Sequence, residues 1–119
     1  MRDDRARLCD VLEAIERIER YANRGRAAFD ADELVQTWIV HHLQLIGEAC
    51  RAVSAELVRG HPEVPWAKIV GMRNILVHHY FGIDKDAVWE VVERDIPALR
   101  PALQAILDEK KRAAPGSAP

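Results

Sequence analysis

ADELVQTWIVHHLQLIGEACRAVSAELVRG, residues 31–60, contains no proline and repeats apolar residues at three- and four-residue steps. That is the period of an amphipathic helix, and nothing in the stretch alternates as a half-buried strand would. With Ile39 as the core direction, the 100° step of a helix places Val35, Leu43, Ile46, Cys50, Val53 and Leu57 within about 40° of it. A second stripe of Leu34, Trp38, Leu45 and Ala52 lies roughly 100–140° away by the same arithmetic. Gly47 and Ala49 permit close backbone approach. One helix therefore carries more apolar surface than one core requires. Either shorter helices cover the second stripe, or Trp38 and Leu45 form a self-association surface; we expect the latter, a homodimer.

Working outward, Leu8, Val11, Leu12, Ile15, Ile18 and Tyr21 recur with charges between them, which predicts a helix from Asp3 to about Arg24. Asn23 to Gly25 stops it, and the acidic run FDADE, residues 29–33, supplies N-terminal chemistry for the long helix, expected from Ala31 to Arg59. Gly60, His61 and Pro62 end that helix. Pro65 stands where a first-turn proline belongs, so a third helix is predicted from there to about Val77–Tyr80. A fourth begins near Lys85 after Gly82 and Asp84. Pro97 and Pro101 each remove a backbone donor, so this segment is expected to divide around Asp95 into two helices, the last ending near Arg112. The fold class is all-α: an up-and-down bundle of four to five helices with a long antiparallel hairpin, one domain over residues 1–112 and a disordered tail, AAPGSAP, over 113–119.

Composition excludes more than it assigns. The chain has 119 residues, 30% of them charged, and a net charge of −2, so neither membrane attraction nor bulk affinity for nucleic acid follows from charge. Cys9 and Cys50 have no C-x-x-C spacing and read as reduced core residues. MRDDRARLCD is too charged for a signal peptide and no apolar run is long enough to span a membrane, which points to the cytoplasm. His41-His42 is not H-E-x-x-H, and adjacent helical residues diverge by about 100°, so no metal site is expected there. No cofactor motif appears.

The segment GMRNILVHHYFG, residues 71–82, is harder to explain as core. With Ile69 at zero, Trp66, Met72, Leu76 and Val77 fall within about 80°, but so do Arg73 and Tyr80, which share the apolar face two turns apart. His78 falls near 180° on the same count, so on an unbroken helix it cannot meet Arg73 of its own chain. The two could meet if the helix unwinds before Gly82, or if a second copy presents its helix end across a twofold axis. Each residue alone has an ordinary account: Arg73 snorkelling to a carboxylate such as Glu48, Tyr80 at the core edge, His78 and His79 as cations at a helix C-terminus. Together they form R-x4-H-x-Y.

That motif, with HPEVPWAKIVGMRN before it and HHYFGIDKDAVWEVVERDIPAL after it, resembles the HepT-like toxins of the HEPN superfamily over about residues 30–107. The resemblance implies a metal-independent endoribonuclease acting as a toxin, with Arg73 and His78 catalytic at a dimer interface. It also implies an MntA-like nucleotidyltransferase antitoxin that transfers AMP to Tyr80. Asn74 could orient a phosphate, and His41 and Glu48, which share a face of the long helix, are candidate supports near the seam. The chemistry is consistent with RNA as substrate: its 2′-OH is a built-in nucleophile, His78 suits proton transfer near neutral pH, and the guanidinium of Arg73 suits phosphate oxygens. The alternative is a non-catalytic helical module that binds a nucleotide or a partner nucleotidyltransferase.

Overall fold

The computed structural model describes residues 3–72 and 82–113, and within them the architecture is all-α. Three long helices carry it: α1 (Asp4–Ala22), α3 (Glu33–Arg51) and, at the C-terminal end, α7 (Ile96–Ala113). Between them lie the short helices α2 (Arg26–Ala31), α4 (Ala55–Gly60), α5 (Trp66–Gly71) and α6 (Lys85–Glu90).

Short polar side chains start most of these helices, each supplying the hydrogen-bond acceptor that the first turn lacks. Asp3 accepts from the Ala6 amide, Asp32 from those of Leu34 and Val35, Ser54 from Leu57 and Asp84 from Ala87. The acidic run before the long helix therefore does what its composition implies.

The α1–α3 hairpin is antiparallel, as expected. Late in α1, the Arg17 carbonyl accepts from Trp38 Nε1 at 2.9 Å, near the start of α3. At the other end, Asp4 accepts from both the amide and the hydroxyl of Ser54, at 2.9 and 2.6 Å. Between these ties the aliphatic faces meet: Leu8, Val11, Ile15 and Ile18 of α1, and Ile39, Leu43 and Ile46 of α3, are fully buried. Each such side chain contributes about 1.5–3 kcal/mol by leaving water. α7 lies antiparallel along α1, with Arg100 paired to Glu19 at 2.8 Å and Leu103, Ile106 and Leu107 buried beneath.

Four expectations need correction. The long helix does not run unbroken to Arg59: α3 ends at Arg51, and Ser54 restarts the chain as α4. No glycine or proline marks that break; it is made by Ser54, which caps α4 while its amide and hydroxyl are held by Asp4 of α1. The residues before α3 form a separate helix, α2, that turns Phe29 into the core against Trp89. Its carbonyls at Phe29 and Asp30 accept from the buried Gln36 side chain at 2.9 and 3.1 Å. The chain also stays helical through the proline region: Val91–Asp95 widens into a π-helical turn, with the Ile96 amide donating to Val91. A proline ring presses on the carbonyl four residues back, which for Pro97 is Glu93, so the wider turn lies where room is needed. Pro101 then sits inside α7. Finally, Cys9 is exposed, one step off the Leu8–Val11–Ile15 stripe, whereas Cys50 is buried and its thiol is pushed up to about 12 by desolvation.

The third helix is described only as α5, through Gly71. Its predicted continuation toward Tyr80 lies outside the described residues, as do residues 114–119 of the predicted tail.

The Asp4–Ser54 tie makes stability pH-dependent. Desolvation would raise the Asp4 carboxyl, but the Ser54 hydrogen bonds, with Lys110 and Arg7 nearby, outweigh it and hold the group below its ordinary 3.8. Because the folded value is the lower one, the tie stabilises fully above the unfolded value and is lost as pH falls through the folded value. Asp4→Ala is expected to cost about 1 kcal/mol at pH 7 in urea denaturation, a difference that shrinks below pH ~3.8. A constant difference across that range would show that the carboxylate charge is not involved.

Candidate functional site

The residues that carry the predicted chemistry, Arg73, Asn74, His78 and Tyr80, lie outside the described residues. The structure does describe what borders that segment on each side.

On the N-terminal side, α5 is only six residues long, too short to be stable except through packing. Trp66, Ile69 and Met72 are buried on one face, as the helical count predicted, and Trp66 Nε1 donates to the His61 carbonyl at 2.9 Å. Gly47 of α3 admits α5 closely: a Cβ at that position would stand 3.5 Å from the Ile69 carbonyl oxygen. Lys68 pairs with Asp95 of the π-turn at 3.0 Å, spanning the gap between α5 and the start of α7. Pro65, Ile69, Met72, Ile96 and Leu99 line a small apolar cavity of about 120 Å³ beside that pair.

On the C-terminal side, Gly82 has φ +88°, a left-handed conformation that glycine adopts without strain. Asp84 then caps α6. Helix α6 is held to α2 by Arg26, which binds Asp30 at 3.1 Å and also Asp86, and by the Phe29–Trp89 ring contact at 5.3 Å between centroids. The motif segment is thus flanked by the short helix α5 and by α6, the start of the helical run that continues through the π-turn into α7, each fixed by side chains from distant parts of the chain.

The outer face of α3 separates residues that sequence reasoning had grouped. Trp38 is not free for association: it is half-buried, bonded to Arg17, edge-on to Tyr21 at 5.5 Å and tilted on His42 at 4.4 Å. Leu34 and Leu45 of the same stripe remain 80% and 45% exposed. His41 and Glu48 are both exposed, as their shared face implied.

The residue that sequence reasoning passed over is His42, which is only 3% exposed. Its Nδ1 lies 2.7 Å from the Trp38 carbonyl oxygen. A carbonyl cannot donate, so Nδ1 carries the hydrogen and, in the neutral ring, Nε2 is an acceptor. The ring is nearly perpendicular to that of His41, at 85°. His42 lines a cleft of about 390 Å³ between α1 and α3, with Ala14, Leu45 and Ala49 as apolar wall and Arg7, Arg17 and Glu48 among its charged lining. The helical count held the signal: His42 stands about 60° from Ile39, on the margin of the inward sector.

An all-α bundle built on this hairpin defines the class, and comparison with known proteins gives the family. A ribonuclease HepT-like family model matches residues 11–106. The chain belongs to that family. It is 35% identical over 106 residues to "Putative RNase MJ1380" of Methanocaldococcus jannaschii, covering 88% of this chain and 97% of that protein. It is 38% identical over 92 residues to "Probable ribonuclease HepT" of Thermococcus cleftensis, covering 76% and 84%. A third relative, "Putative RNase TTE0752" of Caldanaerobacter subterraneus subsp. tengcongensis, is 35% identical over 94 residues, covering 79% and 84%. No solved structure gives a significant match.

The α3–α5 approach can be tested directly. Gly47→Ala is expected to be neutral or stabilising by up to about 1 kcal/mol, because its Cβ meets only ordinary contacts and alanine favours a helix. Gly47→Leu should destabilise by about 1–3 kcal/mol, since its outer carbons have no space against the α5 backbone. Paired urea titrations would read both, and equal stability of the two variants would mean that α5 is not packed against this position.

Proposed function

We propose that this chain is a metal-independent endoribonuclease, the toxin of a toxin–antitoxin pair, that works as a homodimer with Arg73 and His78 as its catalytic residues. The observation that carries the reading is family membership: the matched residues, 11–106, contain the whole R-x4-H-x-Y motif, and the relatives are named as RNases. RNA cleavage by its own 2′-OH requires proton transfer and stabilisation of a crowded, highly charged phosphorane. His78 supplies the first and Arg73 the second, with Asn74 orienting a phosphate oxygen. Neither task requires a metal ion. The exposed Leu34 and Leu45 on the outer face of α3 support association through that face.

Tyr80 is proposed as the off-switch, modified with AMP by an MntA-like nucleotidyltransferase antitoxin. Nucleotide added beside Arg73 brings phosphate charge and bulk to the place where RNA must bind, so the modified protein is silent.

Purified protein is expected to cleave RNA but not DNA, with chelator present, leaving a 2′,3′-cyclic phosphate or its hydrolysis product. His78→Ala should lower the rate by a factor on the order of 10²–10⁴, and Arg73→Ala should lower it even where RNA still binds. Full activity of His78→Ala, or an absolute need for added Mg²⁺, would overturn the mechanism.

Association has its own check: Leu45→Glu places a charge on both sides of a twofold interface and should shift light scattering toward monomer and reduce cleavage together. Leu45 is the better choice than Trp38, whose loss would first disturb α1. For the switch, coexpression with the antitoxin should add mass in units of AMP, and Tyr80→Phe should abolish both the added mass and the silencing. An unmodified but silenced protein would mean inhibition by binding alone.

A further inference from the structure

We propose that the homodimer closes through α3 packed antiparallel on the α3 of a second copy, across a twofold beside His41. Leu34 then meets the partner's Leu45, and Glu33 meets the partner's Arg51. The proposal rests on the homodimer part of the reading above and adds which residues meet and which sides of the two copies come together.

Helix α3 is covered on two flanks. Counting 100° per residue from Ile39, α1 covers it near about −100°, where Trp38 is bonded to the Arg17 carbonyl, and α5 near about +80°, where Gly47 faces the Ile69 carbonyl. The arc between these flanks carries the exposed residues Glu33, Leu34, His41, Leu45 and Arg51. Its two margins differ in character. Leu34 and Leu45 fall at about −140° and −120°, on the α1 side, whereas Glu33 and Arg51 share about +120°, on the α5 side. Neither Glu33 nor Arg51 forms an ion pair with another described residue.

This asymmetry selects the orientation of the second copy. A parallel twofold turns the α1-side margin of one helix onto the α5-side margin of the other at the same level, which sets Leu34 against the partner's Glu33. An antiparallel twofold keeps like margins together and reverses their order, so leucine meets leucine and acid meets base. The register follows from the same pairs. The midpoint of Leu34 and Leu45 falls between residues 39 and 40, that of Glu33 and Arg51 at residue 42, and each lies within about 2 Å of His41 along the helix. Glu48, on the midline, stands one turn before Arg51, which offsets its charge.

The antiparallel twofold also keeps the α5 sides together. Gly47 stands six residues beyond His41, so the two places where α5 meets α3 lie about 18 Å apart along one side of the dimer. Both motif segments begin from that side, which gives one RNA strand a path to both.

Cross-linking tests the register in the full chain, with exposed Cys9 replaced by serine, buried Cys50 left in place and copper phenanthroline as oxidant. His41→Cys is expected to give a covalent dimer, since a disulfide needs Cα atoms within about 7 Å. Leu34→Cys and Leu45→Cys should each remain uncross-linked alone and join when mixed, because the two positions are about 16 Å apart along one helix. Self-cross-linking of either leucine variant in place of the mixed product would mean a parallel seam and overturn the proposal. A second check leaves both leucines intact: Glu33→Arg or Arg51→Glu alone should weaken association about 2- to 30-fold, each pair occurring twice, and the two together should restore it. A double variant as weak as the singles would also overturn the pairing. Cross-links as expected in a dimer that cleaves no RNA would uphold the seam and reject the nuclease; cleavage by a monomer, or by a dimer that lacks these cross-links, would do the reverse.

Discussion

The antiparallel seam between α1 and α3 is the constraint from which the rest of this structure follows. Its interior is aliphatic and would tolerate sliding, because Leu, Ile and Val faces fit one another in more than one register. The polar ties at its ends remove that freedom: Trp38 to the Arg17 carbonyl at one end and Asp4 to Ser54 at the other. Individually each contributes about a kilocalorie, far less than the apolar seam, yet together they select one register. The Asp4 tie also decides where α3 stops, since the serine it holds is the cap of α4.

How much of this could be read from the sequence depends on whether the determining contact is local. Caps are local, and Asp3, Asp32 and Asp84 act where an acidic residue before an apolar run suggests. Periodicity is local too, and the inward faces of α1, α3 and α5 agree with the helical count. The α3–α4 break was not legible, because Ser54 looks unremarkable until Asp4, fifty residues earlier, is placed beside it. Likewise Trp38 counts as surplus apolar surface on α3 alone and becomes accounted for only when Tyr21 and the Arg17 carbonyl arrive from α1.

The prolines show a third case, in which the local signal is real but has two structural answers. Pro97 and Pro101 each subtract a hydrogen bond, which a chain can meet by ending a helix or by widening one turn. Here the apolar residues before, within and after the widened turn, Val88, then Val91 and Val92, then Ile96, Leu99 and Leu103, are all buried in the core. Breaking the helix would release that continuous face, so the wider turn costs less. The π-turn also carries Asp95, the partner of Lys68 on α5.

That pairing joins the fold to the motif segment. Helix α5 is six residues long and has little stability of its own, whereas α6 runs on through the π-turn into α7, so the ends of the intervening segment are set by the α3 backbone at Gly47 and the π-turn on one side and by the start of that continuous helix, tied to α2, on the other. The candidate chemistry was legible as residue types at a spacing, since R-x4-H-x-Y needs only the sequence to be seen. The supports were not, because they come from α2, α3 and the proline-distorted turn. A change at Gly47 or Asp95 therefore acts at a distance, by moving an end of the segment that carries Arg73 rather than by removing any group that would contact RNA. The expected signature is altered turnover without loss of the motif itself.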